Sequence, residues 1–217
     1  MTEPDPNLTT TTTTTTVPRP THQPPPQRQI RALHDARTIT VYQAYPSAIA
    51  SAAVAAQRLS ASPAFKPSRT TWIKPSWCWM MYRSGYSFKD ARQERVLALR
   101  VARDGFAEML RGAVLTTTHQ VSEGRVRVQW DPERGPALER RAWRSLQVGI
   151  PPGLVGRWVD EWVVGIEDVT DRARELKRVV EAEPGVGEAE LRGRGLLPEE
   201  RVYEVPADVR AVLGMDG

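Results

Sequence analysis

The sequence is poor in the side chains that form disulfides or bind transition metals. It contains one cysteine, Cys78, so an intramolecular disulfide is excluded. Of its three histidines, His22 lies in a Thr- and Pro-rich N-terminal stretch. Because only His34 and His119 remain, a zinc site built from Cys and His is not expected, and we predict no bound metal.

Long apolar segments are also missing. The chain has no run of 18 or more apolar residues, and its N-terminus lacks a basic segment followed by an apolar one. These absences argue against a membrane span and a secretory signal. We therefore expect a soluble, cytoplasmic protein without a membrane partner.

Three common catalytic and nucleotide-binding motifs are absent. The sequence has no GxxxxGK[ST] loop, no GxGxxG fingerprint and no GxSxG elbow. This excludes the phosphate loop of the nucleoside triphosphatases, the Rossmann fingerprint and a hydrolase with that elbow. Any catalysis then depends on carboxylates, arginines, lysine or hydroxyl groups.

Composition divides the chain into two parts. Residues 1–27 are mainly Thr and Pro with almost no apolar side chains, so we expect them to form a disordered tail. Residues 28–217 have the length of one ordinary domain. They are predicted to form a single catalytic or ligand-binding domain.

Charge is unevenly distributed along this domain. Residues 28–170 carry 21 Lys and Arg against 13 Asp and Glu, whereas residues 171–217 carry 8 against 11. A positive field concentrates anions, so the basic part favours an anionic partner: a nucleotide, a phosphorylated metabolite or nucleic acid. The alternative, equally open, is that most of these cations are solvated surface.

Hydrophobic patterning predicts alternating strands and helices. Residues 38–45 are rich in β-branched and aromatic side chains, and Pro46 precedes an alanine-rich helical segment. Residues 125–130 alternate charged and apolar side chains, as a half-buried strand does. About seven strands among five or six helices, without regular βαβ spacing, predict a single α+β domain with a mixed, largely antiparallel sheet flanked by helices.

Residues 69–85 combine aromatic rings with cations. Trp77, Met80 and Met81 have the i, i+3, i+4 spacing of a core-facing helix, so Trp77 and Met81 are predicted to be buried packing. The polar side chains of this segment suit phosphates beside a stacked nucleobase or nicotinamide ring. The binding candidates are Arg69, Lys74, Ser76 and Arg83.

Two other segments place carboxylates at predicted strand ends. In residues 129–135 a strand is predicted to end at an Asp-Pro pair, and the turn then presents Asp131, Glu133 and Arg134 together. Glu161 is predicted to open an apolar strand over residues 161–169. In both places the carboxylates are either solvated or directed into a cleft.

Several long segments resemble one catalogued family. Among them are RTTWIKPSWCWMMYRSGY, VRVQWDPERG and VDEWVVGIEDVT. On these segments the chain resembles the family known as domain of unknown function 4291, from about residue 30 to residue 215. Membership implies a shared fold and shared motifs, but not an activity.

A looser similarity concerns the ADP-ribosyltransferases. VDEWVVGIEDV resembles their last motif, and TITVYQAY with the helix after it resembles their first strand and helix. The resemblance implies an ADP-ribosyltransferase-like fold, NAD as substrate, and Glu161 as the carboxylate that stabilises an oxocarbenium-like transition state. It implies Gln43 as a second catalytic residue. It implies Tyr42 at the nicotinamide end and Arg69, Lys74 or Arg83 at the pyrophosphate; with Ser76, Asp131 and Arg134 from the segments above, these are the cofactor-binding candidates.

Three functions of different classes remain open. The first is an NAD-using, ADP-ribosyltransferase-like enzyme. The second is a protein that binds or processes nucleic acid, and the third is a non-enzymatic module that binds a small anionic ligand. A single functional site requires convergence from several elements. We therefore expect one cleft to be lined by Gln43, Lys74, Arg83, Asp131, Arg134 and Glu161.

Overall fold

The structure, a computed structural model, describes residues 26–116 and 124–215 of the 217-residue chain. The expected tail, residues 1–27, lies outside the described residues except for Pro26 and Gln27. The backbone oxygen of Gln27 accepts a hydrogen bond from Arg144 N at 2.9 Å. His119 also lies outside the described residues.

The strands of the described residues form three sheets. The strands are β1 (Arg31–Ala32), β2 (Thr38–Tyr45), β3 (Thr71–Ile73), β4 (Arg95–Ala102), β5 (Ala113–Leu115), β6 (Val126–Arg134), β7 (Arg140–Ile150), β8 (Val163–Asp168) and β9 (Arg201–Val202). The sheets have the orders β1-β9, β2-β4-β8 and β3-β7-β6-β5. All neighbouring strands are antiparallel except β5 and β6, which are parallel.

Seven α-helices lie in the described residues. They are α1 (Ser47–Ala56), α2 (Trp77–Ser84), α3 (Arg103–Arg111), α4 (Pro152–Arg157), α5 (Thr170–Ala182), α6 (Glu188–Gly193) and α7 (Ala207–Leu213). Ser76 caps α2, since its Oγ accepts a hydrogen bond from Trp79 N at 3.1 Å. Gly85 ends the same helix at a φ of 57°, a left-handed conformation that favours glycine.

One backbone pair joins the two larger sheets edge to edge. Tyr42 N donates to Lys74 O at 2.8 Å, and Lys74 N donates to Tyr42 O at 3.2 Å. The seven strands of these sheets therefore form a mixed, largely antiparallel arrangement with helices around it. The predicted α+β class is confirmed. These seven strands belong to two sheets rather than to one, and β1 and β9 form the small third sheet.

The four-stranded sheet has one apolar and one polar face. Ile73, Val128 and Val148 lie side by side on adjacent strands and are fully buried in the main core. A second core cluster forms between α2 and α5, and it contains Trp77 and Met81, whose predicted burial is confirmed. By strand alternation, the opposite face of the sheet carries polar side chains and faces away from the main core.

The segment before β8 corrects one prediction. Glu161 does not open a strand, because residues Trp158–Trp162 form a π-helical turn that continues α4, and β8 begins at Val163. Trp158 and Trp162 are buried within this turn and anchor it in the core. Burial of two large rings on a helical spacing outweighs the β-branched character that favoured a strand.

No helix within residues 26–116 or 124–215 has the length and apolar character needed to cross a membrane.

Gly105 gives a test of how the π-helical turn is packed. A Cβ on Gly105 of α3 would overlap the indole ring of Trp162. We expect Gly105→Ala to lower the free energy of unfolding by about 1–3 kcal/mol through overpacking. Urea denaturation measures the change.

The matched control is Gly156→Ala in α4, where a Cβ meets no atom within 4 Å. Alanine favours a helix over glycine, so this variant should gain up to about 1 kcal/mol. Equal effects of the two substitutions would contradict the packing of Trp162 against α3.

Candidate functional site

The main cleft opens where β2 and β3 separate. Beyond the Tyr42–Lys74 pair, β2 continues beside β4 while β3 continues beside β7. The side chain of Gln43 spans the gap: its Nε2 donates to Thr71 Oγ1 at 2.6 Å and to Trp72 O at 3.0 Å. The gap widens into a cleft of about 640 Å³, a size typical of small-molecule sites.

Lys74 lies at the base of this cleft. It follows β3 directly and precedes the cap of α2, so its backbone is held on both sides. The residue is only 4% exposed. Burial and the neighbouring Arg83 lower the pKa of Lys74 from 10.5 to about 8, while the charge of Asp131 acts in the opposite direction.

Four further cations line the cleft, and they come from three segments: the loop before β3, the end of α2 and the loop before β4. All four are exposed, and they are Lys66, Arg69, Arg83 and Arg92. The guanidinium of Arg83 is held at the end of α2, because its Nη1 donates to Gln93 Oε1 at 3.0 Å. No Asp or Glu occurs among the described residues that line the cleft. The cleft is therefore positively charged.

Aromatic rings form the apolar part of the lining. Tyr45 and Phe65 lie with their ring centres 6.4 Å apart, and the Tyr45 hydroxyl donates to Gln43 Oε1 at 3.0 Å. Trp72 packs flat across Gly149, where a Cβ would lie 2.8 Å from the indole. Any larger residue at position 149 would displace this ring from the cleft. Aromatic faces beside cations suit a ring-bearing anion.

Asp131 lies next to the cleft rather than in its lining. It belongs to β6, which continues past Pro132 to Arg134, so the predicted strand end at the Asp-Pro pair is wrong. A register shift between Pro132 and Arg134 accommodates the proline, which cannot donate to the ladder. Asp131 Oδ2 accepts from Nε2 of Gln147, a residue of the cleft wall, at 3.2 Å.

Tyr42 contributes its backbone to the cleft edge and its ring to the core. The side chain is 1% exposed and packs edge-on against Trp77 at 5.2 Å between ring centres. Burial raises the pKa of its hydroxyl well above the usual value. The phenol of Tyr42 is therefore directed away from the cleft. The ADP-ribosyltransferase similarity implied that Tyr42 contacts the cofactor, and its side chain does not face the cleft.

Ser76 and Arg134 lie in a different cavity, of about 230 Å³, on the other side of α2. The carboxylate of Glu133 accepts from Ser76 Oγ at 2.8 Å and is almost completely buried. Glu200 Oε1 accepts from Trp77 N at 2.6 Å. Burial raises the pKa of both carboxyls, and the Glu133 charge adds to the effect at Glu200, whose pKa reaches about 8.

Glu161 lies at the far end of the three-stranded sheet. Its Oε2 accepts from Arg157 Nε at 3.0 Å, and the residue is exposed. β8 begins opposite Val101 of β4, whereas Gln43 lies opposite Leu97 of β4. Leu97 and Val101 are four residues apart along β4, which corresponds to about 13 Å in an extended strand. The expected convergence therefore fails for Glu161.

The structure brings four of the predicted residues together and separates the rest. Gln43, Arg69, Lys74 and Arg83 line the main cleft, and Asp131 lies beside it. The sequence reasoning missed further lining residues: Tyr45, Phe65, Lys66, Arg92 and Gln147. Gln147 had a signal, because it is a polar residue within the otherwise apolar end of a predicted strand. The loop residues Phe65 and Lys66 had none.

These features define an α+β protein with a basic, aromatic-lined cleft between two sheets. The chain belongs to the family described as Domain of unknown function (DUF4291), which matches residues 29–203 and so includes every residue of the cleft. Comparison with curated proteins finds no match. Within the described residues, no group of three or more His, Cys, Asp or Glu side chains is arranged to hold a metal ion.

The cavity beside α2 generates a pH prediction. The folded pKa of Glu200 is raised, so between about 4.5 and 8 the folded state binds more protons than the unfolded state. The raised pKa of Glu200 therefore adds to the free energy of unfolding at low pH, and this contribution is lost as the pH rises from about 4.5 to 8. Glu200→Gln removes the titration and keeps an oxygen acceptor for Trp77 N.

We expect the wild type, relative to Glu200→Gln, to be more stable at pH 5 than at pH 8 by at least about 1 kcal/mol. Urea unfolding of both proteins at the two pH values measures this difference. The same difference at both values would show that Glu200 titrates normally.

Proposed function

We propose that the main cleft binds a small phosphorylated ligand of the nucleotide class. The observation that carries the proposal is the charge of the lining: five cations and no carboxylate among the described residues that form it. Cations collected from separate loops and one helix end repel each other, so their convergence costs free energy in the absence of an anion. A phosphate offsets this repulsion and accepts charge-assisted hydrogen bonds.

The apolar and amide groups of the cleft support the nucleotide class over a bare anion. Tyr45 and Phe65 offer aromatic rings against which a heterocyclic base can pack, whereas the Trp72 ring lies against Gly149 with the Arg127 guanidinium over it at 5.2 Å. Gln147 lies in the same lining, and its Nε2 is held by Gln129 Oε1 at 2.9 Å and Asp131 Oδ2 at 3.2 Å, so its Oε1 can accept a hydrogen bond from an amino group of a base. A bare phosphate or sulfate would use the cations alone.

The NAD-transferase hypothesis requires a carboxylate beside the nicotinamide ribose. Glu161 was expected to supply this carboxylate. It lies two residues before the start of β8, away from the cleft, and it is paired with Arg157. We therefore propose ligand binding as the function of the cleft. NAD remains one member of the ligand panel, because its pyrophosphate and its two rings match the same lining.

Calorimetric titration with ADP, AMP and NAD tests the proposal. We expect Arg69→Ala and Arg83→Ala each to weaken binding by about 1 kcal/mol, roughly fivefold in Kd, since both side chains are exposed and solvent screens part of each contact. Arg140→Ala is the matched control, because Arg140 is an exposed arginine of β7 outside the cleft.

The proposal fails if none of the three nucleotides binds, or if Arg140→Ala weakens binding as much as the two cleft substitutions. A single-stranded oligonucleotide is titrated in parallel at two salt concentrations. If the oligonucleotide binds with a steep salt dependence and the mononucleotides do not bind, the cleft serves nucleic acid instead.

A further inference from the structure

Lys74 differs from the other lysines of this chain. The sequence has four lysines, all within the described residues. Lys66 and Lys89 are exposed, and Lys177 forms an ion pair with Glu181. Lys74 alone is buried, although it lies in a cleft that solvent can enter. A lysine that served only as a phosphate-binding cation would gain nothing from this burial.

The amine of Lys74 has no partner among the described residues. Its backbone makes the two hydrogen bonds to Tyr42, but its Nζ makes neither a hydrogen bond nor an ion pair. Asp131 acts on it electrostatically without forming a salt bridge. Because the residue is only 4% exposed and its ammonium has no ion-pair partner among the described residues, the charged form is disfavoured and the neutral amine is populated near neutral pH. A neutral lysine amine is a nucleophile.

We propose that Lys74 forms an imine with the aldehyde of a phosphorylated aldose, of the ADP-ribose type, bound in the main cleft. This inference rests on the proposed nucleotide binding and adds a covalent step to it. The phosphates contact the exposed cations of the rim, the base stacks on the aromatic lining, and the open-chain sugar reaches the base of the cleft. Ligand and lysine are thereby held together before reaction.

The reaction balances without a redox partner. The lone pair of neutral Nζ attacks the aldehyde carbon and forms a C–N bond as the C=O π bond breaks, and the first of the two amine protons passes through water from nitrogen to the carbonyl oxygen. The resulting carbinolamine loses its hydroxyl as water, with water carrying the second proton from nitrogen to the departing oxygen. Amine and aldehyde are thus converted to imine and water, and neither is oxidised or reduced.

Reductive trapping tests the imine. The full-length protein is incubated with ADP-ribose and sodium cyanoborohydride, and the intact mass and the modified peptide are determined by mass spectrometry. We expect one adduct per chain, with Lys74 modified at least about tenfold faster than the other three lysines. No adduct, or equal modification of all four lysines, would overturn the inference.

Lys74→Met and Lys89→Met form a matched pair of variants. Both replace a lysine with an apolar side chain of similar length, but Lys89 is exposed and lies outside the cleft, so loss of trapping in Lys74→Met alone supports the proposal. Trapping that persists in Lys74→Met overturns it. Circular dichroism checks folding, and if Lys74→Met does not fold, the position of the adduct on the wild-type chain still decides the question.

ADP separates this inference from the proposed function, because ADP has phosphates and a base but no aldehyde. If ADP binds by calorimetry and ADP-ribose gives no adduct at Lys74, the imine is wrong and nucleotide binding stands. If neither ADP nor ADP-ribose binds, the proposed function itself is wrong, and the imine falls with it.

Discussion

The backbone pair between Tyr42 and Lys74 determines the position of the main cleft. The pair joins the two larger sheets, and directly beyond it each strand turns to a different neighbour. Backbone groups at such a separation lose their usual partners and must be satisfied otherwise. The side-chain amide of Gln43 satisfies Trp72 O, because its Nε2 donates a hydrogen bond to this carbonyl. A gap that remains polar and open to solvent is suited to a charged ligand.

The same pair accounts for the environment of Lys74. The bridge fixes its backbone on one side, and Ser76, two residues later, fixes the start of α2 on the other. The side chain is thereby kept at the base of the cleft, although burial there disfavours its charge. Arg83, carried to the rim by α2, disfavours that charge further. Burial and Arg83 disfavour the charge of Lys74 more than Asp131 favours it, an environment that suits chemistry at a neutral amine better than simple charge pairing.

Parts of this architecture could be predicted from the sequence, and the limits have physical causes. Lys74 and Arg83 were identified because aromatic side chains and cations are concentrated within one short segment. Glu161 was misplaced because its local motif resembles a strand, whereas burial of the flanking tryptophans imposes a helical turn. Asp131 was assigned to a turn because proline usually ends a strand, and a bulge accommodates it here. Lys66 reaches the cleft only through the path of a loop, which has no periodic signal.

Hydrogen–deuterium exchange with and without ADP tests the central claim most directly, because it locates the ligand along the chain. Amide exchange slows where a ligand restricts local opening. A ligand held between β2 and β3 should slow exchange in residues 43–46 and 64–74 and leave residues 157–162 unchanged. Slower exchange at residues 157–162, with none at residues 64–74, would place the ligand at the Glu161 turn and contradict the account.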